Sequence, residues 1–301
     1  MKFLNKNQII IILLIISITI VVAYTYDEVK DLVLTEGTVC NSTNKYIVSI
    51  YDTKTYFGIG DYIRGLIYLK RTFPDRIVVP DYSLHITGKF YKNDLNSQTF
   101  VRKSTDVVHR IETELMFYSS LLRSTDRIIF VKCNAPFTGL MSSDEKEFID
   151  KSFAKRKEFE TRLNSFLNSN QLFRSDGGFT VLHVRTEDRN ALWRMTYAKL
   201  DKFIEGIKIR DKFKIYVISN SYDTKIDLAK KHGLNVDDTK PIHTVDMKSD
   251  GYEEAIGTMF EFELLKRSKH IYQFNENPKQ TSGFSKHISE VYNIPFTRIP
   301  S

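Results

Sequence analysis

From Lys45 to the C-terminus, short apolar runs alternate with amphipathic stretches. Tyr46–Tyr51 (YIVSIY), Arg76–Val79 (RIVV), Arg127–Lys132 (RIIFVK), Phe179–Val184 (FTVLHV), Lys214–Ser219 (KIYVIS) and His270–Phe274 (HIYQF) have the length and the β-branched or aromatic content of strands. Runs such as IYVI lack alternation, which suits parallel strands buried on both faces. Between the runs, Asp61–Thr72, Tyr197–Lys208, Asp223–His232, Tyr252–Arg267 and Ser285–Tyr292 read as helices. In Tyr252–Arg267, the residues Ala255, Ile256, Met259, Phe260 and Leu264 share one helical face. Residues 143–168 have helical spacing and link two halves. Pro74 stops the first helix, Pro80 stops the second strand, and Gly233 offers a C-terminal cap after His232. Strand–helix alternation of this kind predicts βαβ units. The expected class is α/β, with two Rossmann-like halves and mainly parallel sheets, residues 45–175 and 176–301.

The N-terminus has a different pattern. Ile9–Ala23 is apolar except for Ser17 and Thr19; Lys2 and Lys6 precede it, and Asp27, Glu28, Lys30 and Asp31 follow. With Tyr24 and Tyr26 the segment covers 9–26, at the short end of the roughly 17–25 residues that a spanning helix needs. A cleaved signal peptide has the same layout, but no clear small-x-small cleavage site follows the run. A core helix does not suit its terminal position and all-round hydrophobicity. The segment reads as a signal-anchor transmembrane helix, with residues 1–8 cytoplasmic, 27–44 a stem, and the remainder extracytoplasmic. Asn41-Ser42-Thr43 is a glycosylation sequon in that stem. Cys40 and Cys133 are the two cysteines, either one disulfide or two separate thiols, and no Cys-x-x-Cys suggests zinc.

Composition adds little beyond this. The chain has 301 residues, 42% of them hydrophobic and 27% charged, enough for two modest globular domains. A net charge of +7 fits an anionic ligand or an anionic membrane surface. The basic residues are scattered and no nucleic-acid motif is present, so no nucleic-acid partner is expected.

Four stretches carry candidate chemistry, and the expected parallel sheet places each at a strand's carboxyl end, where ligands bind in such folds. In His183-Val184-Arg185-Thr186-Glu187-Asp188, strand alternation puts His183 and Arg185 on one side. Arg185 offers a planar fork to a phosphate, and Asp188 can hold Arg185 or a ligand hydroxyl. A salt-bridged strand end would have the same residues. Gly58-Ile59-Gly60-Asp61-Tyr62-Ile63-Arg64-Gly65 opens a helix, whose first N–H groups favour a polar or anionic ligand. Its spacing does not match a dinucleotide fingerprint, and a plain glycine turn capped by Asp61 is the alternative. Ser282, Gly283, Phe284 and Ser285 start the last helix, where hydroxyls either cap or hold phosphate. Ser219 and Asn220 end a strand, either to contact a ligand or to turn the chain. No Asp-x-Asp occurs anywhere, so an arginine rather than a bound metal is the simpler neutraliser of a leaving diphosphate.

The order GIGDYIRG, HVRTED, VISNS, SGFS resembles the fucosyltransferase superfamily of GT-B fold, which includes α-1,2-, α-1,6- and protein O-fucosyltransferases. The resemblance spans roughly residues 45–295 through short islands, of which His-x-Arg-x-x-Asp is the most specific. It implies a GT-B-like fold and inverting, metal-independent transfer of fucose from GDP-fucose to an acceptor hydroxyl on a glycan or glycoprotein. Under it, Arg185 would bind the β-phosphate, and His183 would sit against the nucleotide or sugar. Ser282, Ser285 and the Phe284 backbone would contact the pyrophosphate. Gly58, Gly60 and Arg64 would line the acceptor side of the cleft. No cofactor beyond the donor would be needed. The N-terminal anchor resembles the single-pass type II layout of Golgi members. The chain departs from the pattern where Thr186 replaces a second arginine and where Lys286-His287-Ile288 stands in place of aromatic residues. These departures leave linkage, acceptor and donor sugar open. Another nucleotide sugar, or an inactive relative that binds a glycan or partner, are the alternatives. Glu187, Asp188 and Asp61 are the candidate general bases.

Overall fold

The computed structural model describes residues 44–52, 54–55, 57–95, 100, 106–112, 121, 124–137, 139–170, 172, 178–186, 193–210, 214–241, 251–277 and 282–300, with the side chains of 193–197 and 210 excepted. The first half runs β1 (Tyr46–Ile50), α1 (Ile59–Thr72), β2 (Ile77–Asp81), α2 (Thr87–Phe90), β3 (Tyr91–Lys92), β4 (Val108–Ile111), β5 (Ile128–Cys133), α3 (Ser143–Ser152), β6 (Ala154–Lys155) and α4 (Lys157–Ser169). The second runs β7 (Phe179–Arg185), α5 (Trp193–Arg210), β8 (Lys214–Ser219), α6 (Tyr222–His232), α7 (Tyr252–Arg267), β9 (Ile271–Asn275), α8 (Gly283–Tyr292) and β10 (Phe296–Ile299).

Two four-stranded sheets result, in the orders β2-β1-β5-β4 and β10-β9-β7-β8. All their pairings are parallel. β3 and β6 form a small antiparallel pair. That pair splits the helical stretch at 143–168 into α3 and α4. Pro80 lies inside β2, opposite Ser49, rather than ending it. β2 is an edge strand, where a missing N–H removes no ladder bond.

Helix ends follow local chemistry. Ser142 and Glu145 form a reciprocal capping box at α3, with Glu145 N–H donating to Ser142 Oγ at 3.2 Å and Ser142 N–H to Glu145 Oε2 at 2.8 Å. Ser221 caps α6, and Gly233 ends it in the left-handed region at φ 63°.

Strand alternation sorts the second sheet into two faces. Leu182, Val184, Ile215, Val217, Tyr272 and Phe274 pack with Leu200, Ile204 and Ile207 of α5 in a smaller core. Phe179, Val181, Tyr216, Ile218 and Ile271 face the larger core, which continues into the first half. α7 is buried from Ala255 to Leu265, on every side. Its Phe260 stacks on Phe159 (5.8 Å) and Phe166 (4.6 Å) of α4, and Phe262 meets Tyr91 of β3 (6.0 Å). Residues 43–97 and 102–301 form one compact unit that contains both sheets.

Among the described residues no helix is long and apolar enough to cross a membrane. The run 9–26, Asn41 and Cys40 lie outside those residues. Among the described residues Cys133 is a free thiol. It lies in the core at the end of β5, and burial pushes its pKa up to about 12.

Candidate active site

Three chain segments meet at the carboxyl edges of the sheets: the end of β7, the start of α8 and the start of α1. β7 and β9 pair in register, so His183 lies beside Gln273 and Arg185 beside Asn275. Alternation puts residues 181, 183 and 185 on one face, as the sequence predicts. Over that face sits the first turn of α8.

His183 is 4% exposed. Its Nδ1 lies 2.7 Å from Ser285 Oγ, and its ring meets Phe284 edge-on at 6.1 Å. Burial, and secondly the Arg185 cation, lower its pKa to about 3. The ring is neutral at physiological pH. Arg185 is half-buried, and among the described residues no carboxylate pairs with its guanidinium. A guanidinium at a strand's carboxyl end offers a planar fork to an anion.

α8 begins at Ser282 with no side-chain cap bond. Its first backbone N–H groups thus take no bond from the Ser282 side chain, and a helix start of this kind suits anionic oxygen. Gly283 lets α8 approach α1 closely: a Cβ there would stand 2.9 Å from Asp61 Oδ1. Gly60 answers it from α1, where a Cβ would stand 2.8 Å from the Gly283 carbonyl oxygen. Gly58 has φ −77°, which any residue adopts. Gly60 thus serves close approach rather than an unusual dihedral.

Beside this crossing lies a polar clasp between the halves. Arg64 Nη2 donates to the Asn134 carbonyl (2.5 Å) and lies 3.3 Å from Asp61 Oδ1. His287 Nε2 lies 3.4 Å from Asp61 and 3.2 Å from Arg64 Nη1, while its Nδ1 lies 3.0 Å from Glu290 Oε2. Burial opposes a charged ring, but the bonds to Asp61 and Glu290 outweigh it and raise the His287 pKa. A protonated ring donates to both carboxylates, so the Arg64–His287 approach is then a like-charge contact and not a hydrogen bond. Burial also opposes ionisation of Asp61, yet His287 and Arg64 hold its carboxyl below the usual range. Asp61 and Arg64 are therefore engaged in holding the halves together.

The remaining expected residues separate. Ser219 is 2% exposed and follows Ile215 and Val217 onto the opposite face of β8, where its Oγ accepts from Ser221 N–H at 3.1 Å. It does not share the face of His183 and Arg185, because strand alternation turns it away. Asn220 Oδ1 accepts from Thr186 N–H (2.8 Å) and its Nδ2 donates to the Thr186 carbonyl (2.9 Å). Its amide fixes the turn just after Arg185. Ser285 is fully buried, its hydroxyl directed at His183 and Gln273. Glu187 and Asp188 lie outside the described residues. Sequence reasoning missed Gln273, His287 and Glu290. Gln273 carried a signal, since a glutamine inside a buried parallel strand needs partners. Among the described residues no group of three or more His, Cys, Asp or Glu could hold a metal ion.

No protein-family model matches the chain, and no curated protein matches it. Solved structures do. The chain superposes on the NodZ α-1,6-fucosyltransferase co-crystallised with GDP at TM-score 0.54, with 15% identity over 82% of this chain and 92% of that one. The selenomethionine fucosyltransferase NodZ from Bradyrhizobium gives 0.54 at 14% identity, with the same coverage. A point mutant of Arabidopsis thaliana FUT1 in complex with GDP gives 0.52 at 10% identity, over 91% of this chain and 74% of that one. The chain thus has a fucosyltransferase-like GT-B fold.

Proposed function

We propose that the protein is a glycosyltransferase that moves fucose from GDP-fucose to an acceptor hydroxyl on a glycan or glycoprotein. The observation that carries this is Arg185, unpaired among the described residues, beside the uncapped start of α8 at the carboxyl edge of a fucosyltransferase-like fold. The diphosphate of a nucleotide sugar fits that chemistry. Its charge grows as the sugar leaves, and fixed donors at the place where charge develops lower the barrier. Arg185 supplies a full charge in a planar fork, and the N–H groups of α8 supply oriented dipoles. Asn220 holds the Thr186 backbone and so keeps Arg185 aimed. Arg185 and α8 take the part that a divalent metal plays elsewhere, which supports metal-independent transfer. Inverting transfer, by direct displacement by the acceptor hydroxyl, is what the resemblance to fucosyltransferases implies. Residues 9–26 would anchor the chain as a type II membrane protein with this unit on the lumenal side of the Golgi or ER.

Calorimetric titration of the full chain with GDP, GDP-fucose, GDP-mannose and UDP-sugars, with and without chelator, tests the proposal. Chelator-insensitive preference for GDP-fucose supports it. Preference for another nucleotide sugar keeps the site and discards fucose. Absence of binding to every nucleotide by folded protein points to a non-catalytic relative.

A further inference from the structure

We propose that Gln273 and Ser285 are positioning residues that hold His183 as a neutral ring with its proton on Nε2, so that His183 donates a hydrogen bond to a bound anion and cannot act as the proton acceptor of the reaction. The nature of the anion rests on the nucleotide-sugar reading above; the state of the ring does not.

The three side chains come from β7, β9 and α8, and their roles follow from what each atom can donate or accept. Gln273 Nε2 lies 3.1 Å from the Ser282 carbonyl oxygen, which can only accept. The nitrogen of the amide is therefore on that side, since a flipped amide would bring two acceptor oxygens together. The same Nε2 lies 2.7 Å from Ser285 Oγ, so the hydroxyl accepts from it. Ser285 is fully buried, which denies its own proton to water. Among the described residues the remaining partner is His183 Nδ1, at 2.7 Å. Nδ1 accepts, and the ring proton is on Nε2. Donation thus runs one way, from Gln273 to Ser285 to His183, with the Ser282 carbonyl fixing its start.

Two consequences follow for the site. The lone pair a base would need is occupied at Nδ1, and Nε2 carries hydrogen. His183 and Arg185 project from the same face of β7, so a neutral N–H and a guanidinium are offered together. Burial beside that guanidinium agrees with a ring that stays uncharged.

Long-range 1H–15N correlation spectra of the full chain, labelled with 15N-histidine, read the ring directly. A His183→Gln variant assigns its signals. The expected spectrum has Nε2 protonated and Nδ1 in the range of an unprotonated, hydrogen-bonded nitrogen, unchanged between pH 8 and pH 5. Gln273→Glu places an acceptor where the amide nitrogen stands, turns the Ser285 hydroxyl around and should abolish the neutral Nε2–H signature. Ser285→Ala should weaken GDP binding by about two- to tenfold, the loss of one fixed neutral hydrogen bond. A wild-type ring found as the Nδ1–H form, or as an imidazolium at neutral pH, overturns the proposal without recourse to any variant. The expected ring with no nucleotide binding would instead sink the donor reading and leave this one standing.

Discussion

At the scale of single residues, the tightest constraints are steric. A Cβ on Gly65 would stand 2.0 Å from the Cys133 carbonyl oxygen, and one on Gly60 2.8 Å from that of Gly283. Neither neighbour is a side chain that can swing aside. Gly65→Ala should therefore destabilise by at least the roughly 1–3 kcal/mol typical of overpacking, and Gly60→Ala by less. Urea denaturation of the two variants measures this; equal, negligible losses would show that α1 can shift freely. The sequence pointed to the glycine motif and to close approach, but not to the backbone that Gly60 meets. Crossing partners such as Gly283 are more than 200 residues away, beyond what local spacing conveys. Ser219 shows the converse limit. Its polarity suggested a ligand contact, yet its parity along β8 with Ile215 and Val217 already placed it on the other face.

At the scale of elements, the strands and helices of the second half were legible because their periodicity and caps agree. Ser221 and Gly233 bound α6 close to where pattern alone puts it. The short strands β4 and β10 were not legible, being edge strands of four residues whose pairing, rather than pattern, defines them. A buried hydrogen-bonded group joins α6 and α7. Lys225, fully buried, lies 2.7 Å from Asp237 and 3.3 Å from Glu261. Lys225→Met would leave Asp237 buried without its cation and should cost about 3–5 kcal/mol, read by the same denaturation. Burial, and secondly Asp237, raise the Glu261 pKa to about 8, against 4.5 when exposed. The folded state then holds a proton that the unfolded state has released between those values. This group's stabilisation is full below pH 4.5 and is lost as pH rises towards 8. Glu261→Gln should flatten that slope; an unchanged slope would place the titration elsewhere.

At the scale of the whole molecule, two parallel sheets are fused by the aromatic contacts of α7 and by the clasp of Asp61, Arg64, His287 and Glu290. His287 has a raised pKa, so its contribution is present below the ordinary value of 6.5 and is lost as pH rises through the folded value. Asp61 and Glu290 have lowered values, so theirs is present above the ordinary carboxylate range and is lost in acid. The clasp should be firmest between these limits. Asp61→Asn should lower the His287 pKa, which NMR titration of its ring would show; an unmoved value would mean that Asp61 does not hold the ring. The α/β class was legible from the sequence, and so was the strand end at which His183 and Ser285 meet. The clasp was not, because it forms between residues of the two halves.

The central claim is that Arg185, with the start of α8, forms the anion site of this fold. Calorimetric binding of GDP to the full chain and to its Arg185→Ala variant, both checked for cooperative unfolding, tests it most directly. Loss of one charge-assisted contact should weaken affinity by about 1.5–3 kcal/mol, on the order of tenfold to over a hundredfold, with the melting transition preserved. Equal affinity in both proteins, or no GDP binding by the folded wild type, would contradict the account and leave Arg185 an ordinary strand-end charge.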